Sequence, residues 1–300
     1  MKYKEFRIKV LPEDKNFLGL EDKYSGFENS KIVILPCPYE KTTSYGRGTA
    51  RGPEAILQAS HYVEFFDEET LKEICFSFGI ATLKPPEFRN LGGRKAIDYI
   101  YNVIKSLISL NKFVVTLGGE HSISSATFKA HYESYGNLSL LHFDAHSDLR
   151  DSYQGSKYSH ACFAARIAEY TTNITQIGIR AQCREEHDLI KESGINTYYA
   201  HYIRSRGFKQ ELINEIISTL NDNVYITFDV DYFDPSIMPS TGTPEPNGFY
   251  WDETMRFIRE VSTQRKIVGF DVVELSPVKN LNFPNYLTAK LIYRILNYIF

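Results

Sequence analysis

The mainly apolar run Leu140-Leu141-His142-Phe143 breaks abruptly into Asp144-Ala145-His146-Ser147-Asp148. Such a run reads as a strand buried on both faces of a parallel sheet. Alternate residues of an extended chain share a face, so Asp144, His146 and Asp148 are expected to converge just past the strand's carboxyl end. Open α/β sheets hold their active sites at that edge. The chain is thereby constrained to a sheet whose carboxyl rim gathers ligand-type side chains.

Two further runs repeat the pattern. Val224-Tyr225-Ile226-Thr227-Phe228 ends in Asp229-Val230-Asp231, and Phe113-Val114-Val115-Thr116-Leu117 ends in Gly118-Gly119-Glu120-His121-Ser122. The paired glycines allow a tight turn and close backbone approach. Each motif alone has a plainer reading: a polar loop for Asp-x-His-x-Asp, a helix cap or solvated turn for Asp-x-Asp, a loop with Ser122 as cap for the third. Three at successive strand ends point instead to a metal site made of His121, His146, Asp144, Asp148, Asp229 and Asp231. Without a cation, four clustered carboxylates would repel and raise one another's pKa. Two divalent ions would cancel four negative charges. The oxygen-rich, thiolate-free set suits a hard ion such as Mn²⁺ better than structural zinc.

Strand-like runs at 31–36, 113–117, 138–143, 174–180, 196–200, 224–229 and 266–272 alternate with helix-like segments at 53–66, 94–110, 122–134, 160–169, 184–193, 208–220 and 251–263. This alternation predicts a parallel sheet with helices on both faces. No linker, repeat or low-complexity tract divides the chain, so one domain is expected over 1–300, with 1–30 an extension or edge segment. A formal net charge of −3 leaves no footprint for nucleic acid or an anionic membrane. The N-terminal Met1-Lys2-Tyr3-Lys4-Glu5-Phe6-Arg7 lacks the apolar core of a signal peptide. The apolar stretch 287–300 is too short to span a bilayer and carries Lys290 and Arg294, so it reads as a packed helix. Cys37, Cys75, Cys162 and Cys183 have neither zinc nor disulfide-framework spacing, which fits a cytoplasmic location. No chemical role is expected for Cys162. His61, His131, His187 and His201 lack ligand spacing, and His142, deeper in its strand, reads as a satisfied core imidazole.

The three segments, with Phe228-Asp229-Val230-Asp231-Tyr232-Phe233-Asp234-Pro235 followed by Gly242-Thr243-Pro244, resemble the signatures of the arginase/agmatinase ureohydrolases. The segments 36–45, 52–56 and 269–274 resemble agmatinases in particular, so the resemblance covers roughly 30–300. It implies a three-layer α/β/α fold around a mainly parallel, eight-stranded sheet, and two Mn²⁺ per chain. Asp144 and Asp229 would bridge the ions; His121 and Asp148 would complete one, His146 and Asp231 the other. A hydroxide shared by the ions would attack a guanidinium carbon. His160 would shuttle a proton to the departing amine, Asp148 would help pass it, and Glu274 would orient the guanidinium through two parallel hydrogen bonds. The bland alternatives are an ordinary histidine at a helix start and a helix-capping or salt-bridged glutamate. Asp271 faces the other way and reads as structural. A homo-oligomer, trimer or hexamer, is also implied.

Ala161 and Asn247 stand where relatives usually carry Gly, although Asn tolerates positive φ better than most residues. The interval 149–159 lacks the Asn-, Thr-, Ser- and Gly-rich character of the arginase loop that holds an α-amino acid head. The expected substrate is therefore a small cationic guanidino compound, agmatine, yielding putrescine and urea in polyamine biosynthesis. Alternatives are N(1)-aminopropylagmatine, guanidinobutyrate and arginine. A non-catalytic relative would be expected to lose ligands, and all six remain, with His160 and Glu274.

Overall fold

The computed structural model describes residues 8–88 and 90–300. Eight strands, β1 (Ile32–Cys37), β2 (Ile80–Thr82), β3 (Phe113–Gly118), β4 (Leu138–Phe143), β5 (Ile174–Ile179), β6 (Asn196–Tyr199), β7 (Asn223–Asp229) and β8 (Lys266–Val273), form one sheet in the order β2-β1-β3-β8-β7-β4-β5-β6. Every pairing of neighbours is parallel. The mainly apolar runs are explained by burial on both faces.

Strand alternation sorts the side chains. Ile32 and Ile34 of β1 join the helices Gly52–Ser60, Gln210–Ser218, Trp251–Gln264 and Phe283–Ile299 on one face. Val33, Leu35 and Cys37 meet the helix Arg94–Ser109 on the other. That helix buries Ala96, Ile97, Ile100, Val103, Ile104 and Leu107 at three- and four-residue spacing, one stripe of an amphipathic helix. Each Val, Ile or Leu side chain so buried contributes about 1.5–3 kcal/mol. The result is the expected three-layer α/β/α arrangement, with the sheet wholly parallel.

The differences from the sequence reading are local. The three-residue edge strand β2 was not among the expected runs, being too short to show a period. The helix expected over 53–66 ends at Ser60, where the Ser60 hydroxyl donates to Leu57 O and accepts Leu18 N–H. The run expected to continue to residue 200 stops at Tyr199, because Ala200 opens the helix Ala200–Arg206. Residues 9–11 cover the edge at β2: Leu11 N–H donates to Thr82 O and Lys84 N–H to Lys9 O. Among the described residues no helix is long and apolar enough to cross a membrane.

Candidate metal centre

The four central strands β3, β8, β7 and β4 end together. Leu117 is level with Val272, Val272 with Phe228, and Phe228 with Phe143. Residues just beyond this row, at one level of the rim, are those the sequence singled out. His121 Nδ1 lies 3.0 Å from Asp144 Oδ2, 3.1 Å from Asp229 Oδ2 and 3.3 Å from Asp148 Oδ2. His146 Nδ1 lies 2.9 Å from Asp231 Oδ2 and 3.5 Å from Asp144 Oδ1. All six residues therefore gather, and Asp144 presents one oxygen to each imidazole. Gly119 makes this possible, since a Cβ there would stand 1.9 Å from Tyr39 O.

Strand alternation does not deliver Asp148, however. The sheet is left after Phe143, and Asp148 turns into the cluster with φ 51°. Glu274 likewise has φ 64°. Non-glycine residues held in the left-handed region cluster at functional sites, where surrounding contacts enforce them.

Two buried hydrogen-bond chains orient these side chains from behind. Thr227 Oγ1 donates to Asp271 Oδ1 at 2.6 Å, leaving its lone pair to accept from His121 Nε2–H at 2.9 Å. Asp271 also accepts from Ser124, Thr127 and Tyr225, which is the structural role expected of it. In the neutral ring Nδ1 is thus the nitrogen without hydrogen, and it has no hydrogen-bond partner among the described residues although buried. An orphaned imidazole nitrogen facing three carboxylate oxygens is the donor set a divalent cation requires. Behind Asp144, Gln176 Nε2 donates to His142 Nδ1 at 3.0 Å, and His142 Nε2–H donates to Asp144 Oδ2 at 2.7 Å. His142 is the buried imidazole expected, yet it touches the cluster directly; its even spacing from Asp144 was the signal. Ligand atoms of His121, His142 and Asp144 lie within 4.8 Å of one another, as do those of Asp144, His146 and Asp231.

The electrostatics show a site short of positive charge. Burial opposes a charged His121 imidazole, but Asp144, Asp148 and Asp229 outweigh it and hold its pKa well above the ordinary value. His146 is raised in the same way, against burial, by Asp231 and Asp144. Asp144 resists burial through His121, His142 and His146 and stays well below the usual carboxylate range. Asp148 is pushed up to about 6 by burial and by Asp144. Burial, Asp231 and Asp144 raise Asp229 well above its ordinary value.

A cavity of about 330 Å³ opens beside the cluster, lined by Asp148, Asp229, Asp231, Glu186, Glu245 and Glu274 among acidic groups, with Arg150 as its one guanidinium among the described residues. Glu186 stands 4.0 Å from Arg150. Glu274 Oε1 accepts the His121 main-chain N–H at 2.6 Å, and Oε2 faces Gly242. Burial, with the nearby charge of Glu120, pushes the Glu274 carboxyl well above its ordinary value. His160 opens a 3-10 turn over His160–Cys162 and lines the same cavity; burial, with help from His121 and His146, depresses its pKa. Ala161 sits inside that turn. Asn247 adopts φ 68°, the conformation its glycine counterpart would take freely. Cys162 is buried, its thiol pushed up to about 11 by burial and Asp148, unsuited to a nucleophile. His61, His131, His187 and His201 do not line the cavity and instead contact Asn16 O, Thr127 O, Gln182 and the Tyr199 ring. Sequence reasoning gave no sign of Arg180, whose guanidinium donates to the main-chain oxygens of Asp231, Phe233, Glu245 and Pro246 and so clamps two site loops.

Residues 30–298 match the arginase family. The chain is 37% identical to the N(1)-aminopropylagmatine ureohydrolase of Synechocystis sp., over 95% of this chain and 94% of the relative. It is 32% identical to the agmatinase of Pyrococcus horikoshii, over 90% and 92%. Among solved structures, the agmatine ureohydrolase of Thermoplasma volcanium superposes with a TM-score of 0.82 at 30% identity, covering 98% of this chain and 95% of that one.

Proposed function

The chain belongs to the arginase family, and on that premise we propose that it is a ureohydrolase that splits agmatine into putrescine and urea. The observation that carries the reading is the orphaned His121 Nδ1 among three carboxylates, with Asp144 turned to both imidazoles, at the floor of an acidic cavity. His121, Asp144, Asp148 and Asp229 would hold one Mn²⁺, and His146, Asp231 and the bridging Asp144 and Asp229 a second. When bound, such a pair supplies a water activated near neutral pH and offsets the clustered negative charge.

The remaining steps belong to the protein. Glu274 is buried and makes no ion pair among the described residues, so an entering guanidinium would restore its ionised form and be held in plane against it. The departing nitrogen must gain a proton before it leaves as an amine. His160, lining the cavity with a depressed pKa, would deliver it from Nε2, and Asp148 would pass on the proton released at the attacking water. The cavity's excess of carboxylates favours a cationic tail over the α-carboxylate of arginine.

A second reading, N(1)-aminopropylagmatine, is favoured by the identity to relatives of that name. Urea release from agmatine, N(1)-aminopropylagmatine, guanidinobutyrate and arginine at saturating Mn²⁺ decides between them. Agmatine should exceed arginine by about 10²-fold or more in kcat/KM, the scale expected when a charged group is buried without a partner. Equal values would overturn the agmatine reading and leave guanidino hydrolysis intact; no urea from any of the four would overturn both.

A further inference from the structure

Glu120 is fully buried and accepts four hydrogen bonds: Lys41 N–H and Thr42 N–H at Oε2, both at 2.6 Å, and the hydroxyls of Ser122 and Thr42 at Oε1, at 2.6 and 2.8 Å. The Thr42 proton is therefore committed to Glu120. One Thr42 lone pair accepts the His160 main-chain N–H at 3.0 Å, and the same oxygen stands 3.2 Å from His160 Nδ1. An oxygen whose proton points elsewhere can meet Nδ1 favourably only if Nδ1 carries hydrogen. Ser159 Oγ, 3.3 Å from the same nitrogen, accepts equally well from it. With an unprotonated Nδ1, the Thr42 lone pair would face the ring's own.

We propose that Thr42 and Glu120 are positioning residues that hold His160 as the Nδ1–H tautomer, so that its Nε2 is the nitrogen that exchanges protons in the cavity. The inference rests on the shuttle role of His160. The logic is that of a base oriented by a third group, with a hydroxyl inserted between carboxylate and imidazole. When Nε2 also carries a proton, the ring is cationic and its Nδ1–H remains directed at the Thr42–Glu120 pair. When Nε2 gives that proton away, the ring returns to the same tautomer without turning. Ordinary tautomer preference in water provides no such restriction, so the spacing of residues 42, 120 and 160 decides which ring nitrogen is available.

Nitrogen-15 chemical shifts of histidine-labelled protein, in the presence of diamagnetic Mg²⁺, read the tautomer directly. The Nδ1–H form is expected for His160 in the wild type and in Thr42→Ser, and its loss in Thr42→Val. Thr42→Val should lower kcat about 10-fold, a fraction of what general acid–base catalysis supplies, with KM and metal content unchanged, while Thr42→Ser keeps near-normal turnover. In a His160→Ala background, Thr42→Val should cost nothing more. An Nε2–H wild type, a tautomer unmoved by Thr42→Val, or the same loss in the His160→Ala background would overturn the proposal. Wild-type turnover by His160→Ala would instead sink the shuttle reading, while the spectra still decide whether Thr42 and Glu120 orient the ring.

Discussion

Thr227→Val removes one oxygen from the centre of the buried chain and changes almost nothing in shape. In the native protein that oxygen accepts His121 Nε2–H and donates to Asp271. The valine leaves a fully buried imidazole N–H without an acceptor, which costs about 1–3 kcal/mol. It also takes from Asp271 one of four hydroxyl donors, the other three being Ser124, Thr127 and Tyr225; their presence limits that second loss to roughly 1 kcal/mol. The sum, about 3 kcal/mol, should lower the thermal midpoint of a chain this long by roughly 5 °C or more. Freed from Thr227, His121 can flip or take the other tautomer, so Mn²⁺ affinity at its site should fall 10- to 100-fold, the usual range for losing a partner behind a ligand. Calorimetry with chelator reads the first effect and Mn²⁺ titration the second. Thr227→Ser, which keeps the hydroxyl, should restore most of both. Loss of stability with unchanged Mn²⁺ affinity would refute the argument, since the chain would then be core packing with no hold on the ligand.

Other expectations follow from the same geometry. Asp144→Ala, which removes the carboxylate shared between His121 and His146, should lower the bound Mn²⁺ from about two per chain further than Asp231→Ala does, measured by metal analysis after gel filtration; equal losses would deny Asp144 its bridging place. Chelation should abolish urea release and Mn²⁺ restore it. His160→Ala should lower kcat with metal content intact, whereas Glu274→Gln should depress kcat/KM more than metal binding. His131 is buried against Gly269 and burial depresses its pKa to about 4. As a neutral group it contributes stability above about pH 6.5 that is lost as pH falls through about 4, up to about 3 kcal/mol. Denaturant unfolding between pH 7 and 4.5 should show this limb and His131→Leu should flatten it; an unchanged slope would assign acid lability elsewhere.

The centre of the fold was legible because chemistry and periodicity coincide there. β3, β4, β7 and β8 are buried on both faces, so their sequences are mainly apolar runs with the few polar residues hydrogen-bonded inside, and each breaks into polar residues where the sheet stops. Strand neighbours were not legible: β8 and β7 lie between β3 and β4, although the chain visits β4 directly after β3. Short edge pieces escaped for a different reason. β2 pairs with one strand only, and three residues cannot display an alternation.

What the sequence conceals about the site is whatever depends on contact between distant segments. Asp148 looked like the third residue of a straight strand, and only the φ of 51° reveals that a turn aims it. Thr42 and His160 are 118 residues apart, and Thr227 and His121 are 106 apart, so no local spacing could pair them. The common feature of these partners is that they are small hydroxyls or main-chain groups, the residue types with least individual signature. The candidate ligands are written in Asp and His because a cation would demand those atoms. Ligand orientation is left to threonine, glutamine and a loop-clamping arginine, whose task many arrangements could meet. A reading from residue types therefore recovers which atoms could hold the ions before it can recover which nitrogen of each histidine does the work.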